Sequence, residues 1–250
     1  MRLPAAGTVR ALSNGMNETN LKLDRQATVA RIVTDHPIAA RVFQRRGIDY
    51  CCHGDVTVPQ ACAAAHLDPA TVFAELEAAL GRREAREEAD PRSLSDASLI
   101  ALIVERHHGY LRRALPYIAP IMAKVAKVHG PREAGLGRLE EVVRALTNNL
   151  VPHLDEEERV LFPTLLSRSP DPAAVKRDLA RMNEEHLQVG GLLAQIRTLS
   201  DRFAIPEWGC NTYRVLMAEL ETLEGDILRH VHLENHVLAP RFGALVAQAA

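Results

Sequence analysis

The chain has 250 residues, a formal net charge of −2, 47% hydrophobic and 25% charged residues, and eleven histidines. This composition is that of an ordinary globular protein of one or two domains, and the near-neutral charge argues against a nucleic-acid or membrane-surface partner. No run reaches the ~20 apolar residues of a membrane span, and the N-terminus lacks the apolar run of a secretory signal. The four cysteines argue against a disulfide framework, so we expect a cytoplasmic protein.

The first third of the chain is predicted to form a small helical domain. Residues 1–22 are predicted to be a poorly ordered lead-in, and residues 24–83 hold three or four short helical runs separated by prolines and glycines. Asp68-Pro69, followed by ATVFAELEAAL, is typical of a capped helix start with proline at the first position. The charged stretch 84–93 is predicted to be a linker.

Four long amphipathic segments follow and predict an all-α fold. Because the connections between them are short, the expected architecture for residues 94–247 is an up-down-up-down four-helix bundle. No alternation typical of β-strands is present. The predicted helices cover roughly 94–129, 135–168, 171–203 and 207–247.

Each predicted bundle helix has one inward apolar stripe, and histidines or glutamates interrupt all four stripes. Buried ionisable groups are costly unless they are paired or bind metal. The alternative of satisfied core histidines and solvated glutamates is the commoner outcome for any one such residue taken alone. The interrupting residues are His108 in the first helix, His153 and Glu157 in the second, His186 in the third, and His230 and Glu234 in the fourth.

The positions of these six residues along their helices argue for one shared site. His108 and His186 come ~14 and ~15 residues after their helices start, and the His–Glu pairs ~11–17 residues before theirs end. Antiparallel neighbours therefore place all of them at one level, ~20 Å from one end of the bundle at 1.5 Å per residue. Residues four apart share a helix face. Two carboxylates can then bridge two metals with four terminal imidazoles, a donor set that suits iron and leaves manganese or zinc open.

The remaining histidines are interpreted differently. His107 lies off the stripe and is predicted to be an outer residue of the site, with the alternative that it replaces His108 as the ligand. His129 is ~30 Å from His108 along the helix and cannot join the site. His232 and His236 are predicted to lie on a solvated face. The histidines of the N-terminal domain, which need another explanation, are His36, His53 and His66.

Four segments carry a resemblance to known proteins: VERHHGYLRRALP, VPHLDEEERVLFP, MNEEHLQVGGLL and ILRHVHLENHVLAPR. They resemble hemerythrin-like domains, and most closely the Repair of Iron Centers family, the iron–sulfur cluster repair di-iron proteins. That family joins a short N-terminal domain with two adjacent cysteines to a di-iron bundle, and RRGIDYCCHGDVTV is the corresponding N-terminal segment here. The resemblance covers roughly residues 24–245.

The resemblance implies a metal site and a role. It implies two irons with two bridging carboxylates and an oxo or hydroxo bridge, and a cytoplasmic role in restoring iron–sulfur clusters damaged by nitric oxide or oxidants. His53 departs from the pattern, because a small residue is more often expected after the cysteine pair; an additional transient metal contact is one reading of it. The residues that match the family's iron ligands are His108, His153, Glu157, His186, His230 and Glu234.

The adjacent cysteines Cys51 and Cys52 are predicted to lie in an exposed loop after Gly47. Adjacent cysteines can form only a strained, labile disulfide. An exposed thiolate pair could accept iron, react with nitric oxide or contact a partner's cluster, whereas the alternative is a pair of ordinary packed thiols. Cys62 is predicted to be a packing residue, and Cys210 a surface or core residue of the fourth helix.

Three functions follow from this reading. The first is supply of iron to proteins with damaged iron–sulfur clusters, which the two-domain layout and the adjacent cysteines favour over a turnover enzyme. The second is reversible binding of dioxygen or nitric oxide by a carrier or sensor, although no output domain is evident. The third is reduction of nitric oxide or peroxide at the di-iron centre, for which no separate general acid or nucleophile is evident. The sequence leaves a homodimer open.

Overall fold

A computed structural model describes residues 23–81 and 90–249. Within these ranges the regular secondary structure is helical and no strand forms, so the predicted all-α fold is confirmed. The predicted lead-in 1–22 and residues 84–89 of the predicted linker lie outside the described residues. None of the helices in the described ranges has the length and apolar character needed to cross a membrane.

The N-terminal helices are defined by local capping signals. The Thr28 side chain accepts a hydrogen bond from the Arg31 amide, and Thr57 and Gln60 form a capping box. Gly47 ends the second helix with φ of 68°, a left-handed conformation in which a Cβ atom would be strained. The helices within residues 23–81 are α1 (Val29–Asp35), α2 (Ala39–Arg46), α3 (Val58–Ala64) and α4 (Pro69–Gly81).

Four long helices form the bundle, and three of them contain a π-helical turn. A 3₁₀ turn at Pro91–Ser93 precedes them, and short helical turns follow at Ala239–Phe242, α11 (Gly243–Val246) and Ala247–Ala249. The first bundle helix comprises α5 (Asp96–Leu102), the π turn Ile103–His108 and α6 (Gly109–His129); the second comprises α7 (Gly135–Glu156), the π turn Glu157–Leu161 and α8 (Phe162–Leu165); the third is α9 (Pro172–Leu199); the fourth comprises α10 (Asn211–Leu233) and the π turn Glu234–Leu238.

The N-terminal domain packs into the bundle. Helix α6 packs against α7 and α10, and α7 packs against α9. Residues 47–54, which we call the cysteine loop, contact both α9 and the fourth bundle helix. The Cys52 thiol lies 3.6 Å from the carbonyl oxygen of His186 in α9, and the Asn235 amide donates to the carbonyl oxygen of Cys51 at 3.1 Å. The loop therefore lies between the third and fourth bundle helices.

A polar layer divides the apolar core along the bundle. The larger cluster joins residues of the N-terminal domain, such as Phe43 and Leu76, to the bundle. The smaller cluster, with Leu99, Phe162 and Phe242, fills one end of the bundle. In each bundle helix, the predicted site residues lie between these two clusters. The site is therefore enclosed by apolar packing on both sides.

The spacing of three and four that places His108 and His186 inward predicts the same for Val104 and Leu179, which lie four and seven positions before them, but both are only half-buried. The other positions of the predicted stripes are buried. A π-helical turn contains one residue more than an α-helical turn, so the residue five positions before His108, Ile103, faces the core in place of Val104. In α9, Asp178 takes the inward position that was predicted for Leu179.

An ion-pair network fastens α2 to the bundle. The Arg197 side chain in α9 donates to both oxygens of Glu224 in α10, with a distance of 2.8 Å from Nε to Oε1. The Gln44 amide donates to Glu224 Oε2 at 3.1 Å and to the carbonyl oxygen of Glu221 at 2.9 Å. Gln44 lies directly against Gly225, which has no side chain to displace it.

Two glycine-to-alanine substitutions test this fit. Gly191 in α9 faces open space, so Gly191→Ala should raise the free energy of unfolding by about 0.5–1 kcal/mol through helix propensity. A Cβ atom at Gly225 would lie 2.6 Å from Gln44 Oε1, so Gly225→Ala should lose that gain or reverse it. Urea denaturation of both variants measures the difference. An equal gain at both positions would show that Gln44 is not held against α10.

Candidate metal centre

The six residues predicted to form the site converge in one buried layer. Their fractional exposure ranges from 0 to 3%. Five of them offer ligand atoms that lie within 4.8 Å of one another, and these are His153, Glu157, His186, His230 and Glu234. The sixth, His108, has Nε2 3.4 Å from Glu157 Oε2 and 3.8 Å from Glu234 Oε1.

Each carboxylate lies between imidazoles that come from different helices. Glu157 Oε1 is 3.3 Å from His153 Nε2, and its other oxygen faces His108. Glu234 Oε2 is 3.0 Å from His230 Nε2 and 3.2 Å from His186 Nε2. The carboxylates of Glu157 and Glu234 could therefore each bind two metal ions at once.

The four imidazoles form two close pairs. The ring centroids of His108 and His230 are 5.0 Å apart, and those of His153 and His186 are 4.9 Å apart. Both pairs meet edge to face. This arrangement divides the layer into two half-sites, with the carboxylates between them.

π-helical turns lie directly at the site. One ends at His108, and the other two begin at Glu157 and Glu234. Such turns are rare and concentrate at functional positions, because the extra residue re-aims side chains that regular α-helical spacing would place elsewhere.

Polar groups in an outer layer fix the orientation of three imidazoles. His108 Nδ1 is 2.9 Å from Glu158 Oε1, and His153 Nδ1 is 2.6 Å from Glu185 Oε2. His186 Nδ1 is 2.9 Å from Asn235 Oδ1. A carboxylate can only accept, so Nδ1 of the first two rings carries a proton, and Nε2 is the ring nitrogen that faces the layer. The same holds for His186, because the Asn235 NH₂ group is committed to Cys51.

His107 lies outside this layer, as the stripe predicted, but it is buried. Its Nδ1 is 3.0 Å from Asp226 Oδ1, and its ring stacks on His230 with the centroids 6.1 Å apart. His107 therefore supports the ring of His230, and its own Nδ1 is held by Asp226.

The donor set fits a metal, because its polar atoms have no other partner. Among the described residues, all four carboxylate oxygens of Glu157 and Glu234 and the Nε2 atoms of His108 and His230 are buried without a hydrogen bond. The Nε2 atoms of His153 and His186 are 3.2 Å apart, and two lone pairs cannot face each other at this distance without a cation or proton between them. Nitrogen and carboxylate donors in this number suit first-row metals such as iron, manganese or zinc.

The charges in the layer compensate one another when no metal is bound. Burial lowers the pKa of His108 and His230, but Glu157 and Glu234 outweigh it and raise these values to about 9 and about 10. Burial opposes the ionised form of Glu234, yet His230 and the neighbouring imidazoles hold its pKa well below the usual value. A metal that binds here must therefore displace protons from imidazoles at neutral pH.

The prediction that the cysteine pair is exposed is wrong. Cys51 is buried and Cys52 is half-buried, because the loop lies between two bundle helices. Asp49 organises the loop: its Oδ1 accepts from the amides of Cys51 and Cys52 at 3.0 and 2.9 Å, and its Oδ2 contacts His53 Nδ1 at 2.7 Å. The hydrogen bond to Cys52, burial and Asp49 raise the pKa of Cys51 well above the usual value, so Cys51 is a thiol.

The prediction that His232 and His236 lie on a solvated face is also wrong. His232 is buried, with Nε2 3.1 Å from Thr34 Oγ1 and Nδ1 3.3 Å from the carbonyl oxygen of Tyr50. His236 is half-buried and donates from Nε2 to the carbonyl oxygen of Cys51 at 2.8 Å. This helix face has a polar sequence because it binds backbone carbonyls of the loop.

The other cysteines and histidines lie away from the site. Cys62 is buried in α3, as a packing residue would be. His53 is largely exposed, and His66 adopts a left-handed φ of 54°. His129, which was predicted to be too far from the site to join it, has Nε2 3.3 Å from the exposed thiol of Cys210.

Cys210 should be the cysteine that reacts fastest at neutral pH. The backbone amide of Tyr213 and the ring of His129 lower the pKa of Cys210 to about 7. Because the thiolate is the reactive form, iodoacetamide labelling of Cys210 should rise through pH 7, whereas Cys51 stays unlabelled. Peptide mass spectrometry across a pH series measures this. His129→Phe should move the midpoint upwards, and an unmoved midpoint would exclude a contribution from His129.

The sequence reasoning missed the outer partners of the site. Glu158 directly follows a predicted ligand, and Glu185 and Asn235 each directly adjoin one, so adjacency was the available signal. Each of these three side chains orients a ligand on a neighbouring helix, and only the packing of the helices decides which ligand that is.

A helical bundle that buries four histidines and two glutamates in one layer defines a hemerythrin-like protein. Residues 99–242 match the family described as hemerythrin HHE cation binding domain. Residues 25–80 match ScdA_N, described as a domain of unknown function (DUF542).

Curated relatives extend over nearly the whole chain. The iron-sulfur cluster repair protein ScdA of Staphylococcus haemolyticus is 32% identical over 222 residues, which is 88% of this chain and 99% of the relative. ScdA of Staphylococcus epidermidis is 31% identical over 86% of this chain and 97% of its own. The iron-sulfur cluster repair protein YtfE of Yersinia pseudotuberculosis is 29% identical over 87% of this chain and 96% of its own. The chain therefore belongs to the family of iron–sulfur cluster repair proteins, and the predicted resemblance is confirmed.

Proposed function

We propose that this protein repairs iron–sulfur clusters by supplying iron from a di-iron centre. The observation that carries the proposal is the convergence of buried carboxylate oxygens and imidazole nitrogens, most of which have no hydrogen-bond partner among the described residues. The names of the relatives, iron-sulfur cluster repair proteins, support the same role. The proposed ligands are His108, His153, Glu157, His186, His230 and Glu234.

The two imidazole pairs would each hold one iron. His153 and His186 would bind one ion and His108 and His230 the other, because the members of each pair are in ring contact. Glu157 and Glu234 would bridge the two ions, since each carboxylate faces imidazoles of both pairs. When bound, these ions would supply the metal that a damaged cluster has lost.

A polar pocket of about 380 Å³ supports a route for the ion. Its wall includes His153, Glu185 and Glu156, the last of which is paired with Arg181 at 2.6 Å. Glu185 is one-third exposed and holds His153 Nδ1 at 2.6 Å, so it links a proposed ligand to the solvent. The carboxylate of Glu185 on such a path would favour a cation over an anion.

The cysteine loop is the proposed contact with the recipient protein. Cys52 is half-buried and Cys51 is buried, so both thiols become available only when the loop leaves the groove between the third and fourth bundle helices. The recipients would be proteins whose clusters nitric oxide or oxidants have damaged. We place the protein in the cytoplasm, where free thiols persist.

Iron transfer tests this proposal. Protein loaded anaerobically with ⁵⁷Fe(II) is mixed with an apo-ferredoxin and sulfide, and Mössbauer spectroscopy follows the label. We expect stoichiometric movement of iron into the recipient. Cys51→Ser with Cys52→Ser should keep the iron and its spectrum but slow the transfer, whereas the control Cys210→Ser should transfer normally. Loss of iron from the double variant would contradict the separation of the two sites.

Reversible binding of nitric oxide or dioxygen is the second candidate. An apolar pocket of about 310 Å³ between the two domains includes His107, whose ring stacks on His230. A small apolar molecule could approach the layer from there. Binding of nitric oxide with all iron retained, together with no transfer to the apo-ferredoxin, would favour this function over iron supply.

A further inference from the structure

The side chain of Asn235 joins the cysteine loop to a proposed metal ligand. Its Nδ2 donates to the carbonyl oxygen of Cys51 at 3.1 Å, and its Oδ1 lies 2.9 Å from His186 Nδ1. Asn235 belongs to the π-helical turn that begins at Glu234. One amide group therefore contacts residues that are 184 and 49 positions away in the chain.

Hydrogen-bond chemistry fixes the direction of this link. The Cys51 carbonyl can only accept, so the NH₂ group of Asn235 must face the loop and its oxygen must face His186. The oxygen can only accept, so the proton of His186 is held on Nδ1. The Nε2 atom of the same ring faces the layer, 3.2 Å from Glu234 Oε2. The docked loop thus fixes the ring orientation in which His186 presents Nε2 to the layer.

The other imidazoles of the layer are not tied to the N-terminal domain in this way. Within the described residues, His108 and His153 are oriented by Glu158 and Glu185, which belong to the bundle. His230 Nδ1 has no hydrogen-bond partner there. Movement of the cysteine loop would therefore affect the buried layer through the hydrogen bond between Asn235 and His186.

A second residue holds the same carbonyl without touching the layer through hydrogen bonds. His236 Nε2 donates to the carbonyl oxygen of Cys51 at 2.8 Å, and its ring lies 5.2 Å from that of His232. His236→Phe would keep the ring contact and remove the donor. This gives a way to loosen the loop while Asn235 stays intact.

We propose that Asn235 is a positioning residue that couples docking of the cysteine loop to the orientation of His186. The proposal rests on the proposed metal centre. With the loop docked, His186 is held as a ligand; when the loop leaves the groove, the Asn235 amide loses its anchor and His186 is held less firmly. Because coupling between two sites is reciprocal, a bound metal strengthens loop docking by the same factor by which docking strengthens metal binding.

The first test uses metal-free protein and a double-mutant cycle, in which His236→Phe is measured both alone and together with Asn235→Asp. Iodoacetamide labelling of Cys52 reports loop docking, and ¹⁵N NMR of His186 reports the hydrogen bond at its Nδ1 atom. His236→Phe should speed labelling by about fivefold, the equivalent of one lost hydrogen bond, and should also weaken the hydrogen bond between His186 Nδ1 and Asn235. In the Asn235→Asp background the carboxylate still accepts from His186, so His236→Phe should leave His186 unchanged. Faster labelling with an unchanged His186 in the Asn235 protein would overturn the proposal.

The second test adds ferrous iron under anaerobic conditions with a competing chelator. Asn235→Leu removes both hydrogen bonds and should weaken iron binding by about 10–100-fold, whereas Asn235→Asp should retain it. Bound iron should slow Cys52 labelling in the wild-type protein but not in Asn235→Asp. Equal protection in both proteins would contradict the coupling. Failure of the wild-type protein to bind iron would reject the proposed function, while the His186 measurement still decides the coupling.

Discussion

Glu234→Ala should weaken iron binding by more than about 100-fold, beyond the loss that follows removal of an outer partner. The carboxylate contacts imidazoles of both half-sites, so its loss affects both ions. It also removes the charge that raises the pKa of His230, which changes the protonation of the metal-free layer. Metal content after gel filtration, measured by mass spectrometry, and chelator competition give the size of the effect.

A matched control separates the site from the fold. Glu141→Ala removes a half-exposed carboxylate that pairs with Arg138 on the second bundle helix, and it should keep the full metal content. Circular dichroism should show that Glu234→Ala remains helical. Glu157→Ala should behave as Glu234→Ala does. Full metal content in either site variant would reject a bridging carboxylate at that position.

Arg197→Leu should lower the free energy of unfolding by about 3 kcal/mol, because it leaves the carboxylate of Glu224 buried and unpaired. The side chain of Glu224 is 4% exposed and that of Arg197 is 16% exposed. The substitution also removes the contact of the guanidinium with the Phe203 ring, whose centroid is 5.1 Å away. Urea denaturation measures the loss, and faster labelling of Cys52 should accompany it because Gln44 shares the same carboxylate.

The double variant Arg197→Leu with Glu224→Leu should recover much of that loss, because no charge remains buried. Arg138→Leu is the exposed counterpart and should cost less than about 1 kcal/mol. If Arg197→Leu lowered the free energy of unfolding by no more than Arg138→Leu does, the ion pair of Arg197 with Glu224 would not hold the N-terminal domain against the bundle.

The buried layer of histidines and glutamates was predictable from the sequence because it depends on local periodicity. His153 with Glu157, and His230 with Glu234, share a helix face whatever the neighbouring helices do. The lengths of the helices then place His108 and His186 at the same level. Within those helices the prediction failed where the backbone departs from α-helical spacing: the π-helical turn before His108 moved Ile103 inward in place of Val104.

The cysteine loop could not be predicted in the same way. Nothing near Cys51 in the sequence indicates that Asn235 and His236, more than 180 positions away, hold its carbonyl oxygen. A loop with glycine, aspartate and adjacent cysteines has the composition of an exposed segment, and only the packing of the N-terminal domain buries it.

The sequence by itself thus determined the helical class, the six candidate ligands and the family, since each of these is carried by residue spacing along single helices. The tertiary structure alone decided which side chains orient the ligands, that Cys51 is a buried thiol, and that His232 and His236 face the loop. The physical reason is that hydrogen bonds between distant segments depend on how two domains pack, and periodicity within one helix carries no information about its partner.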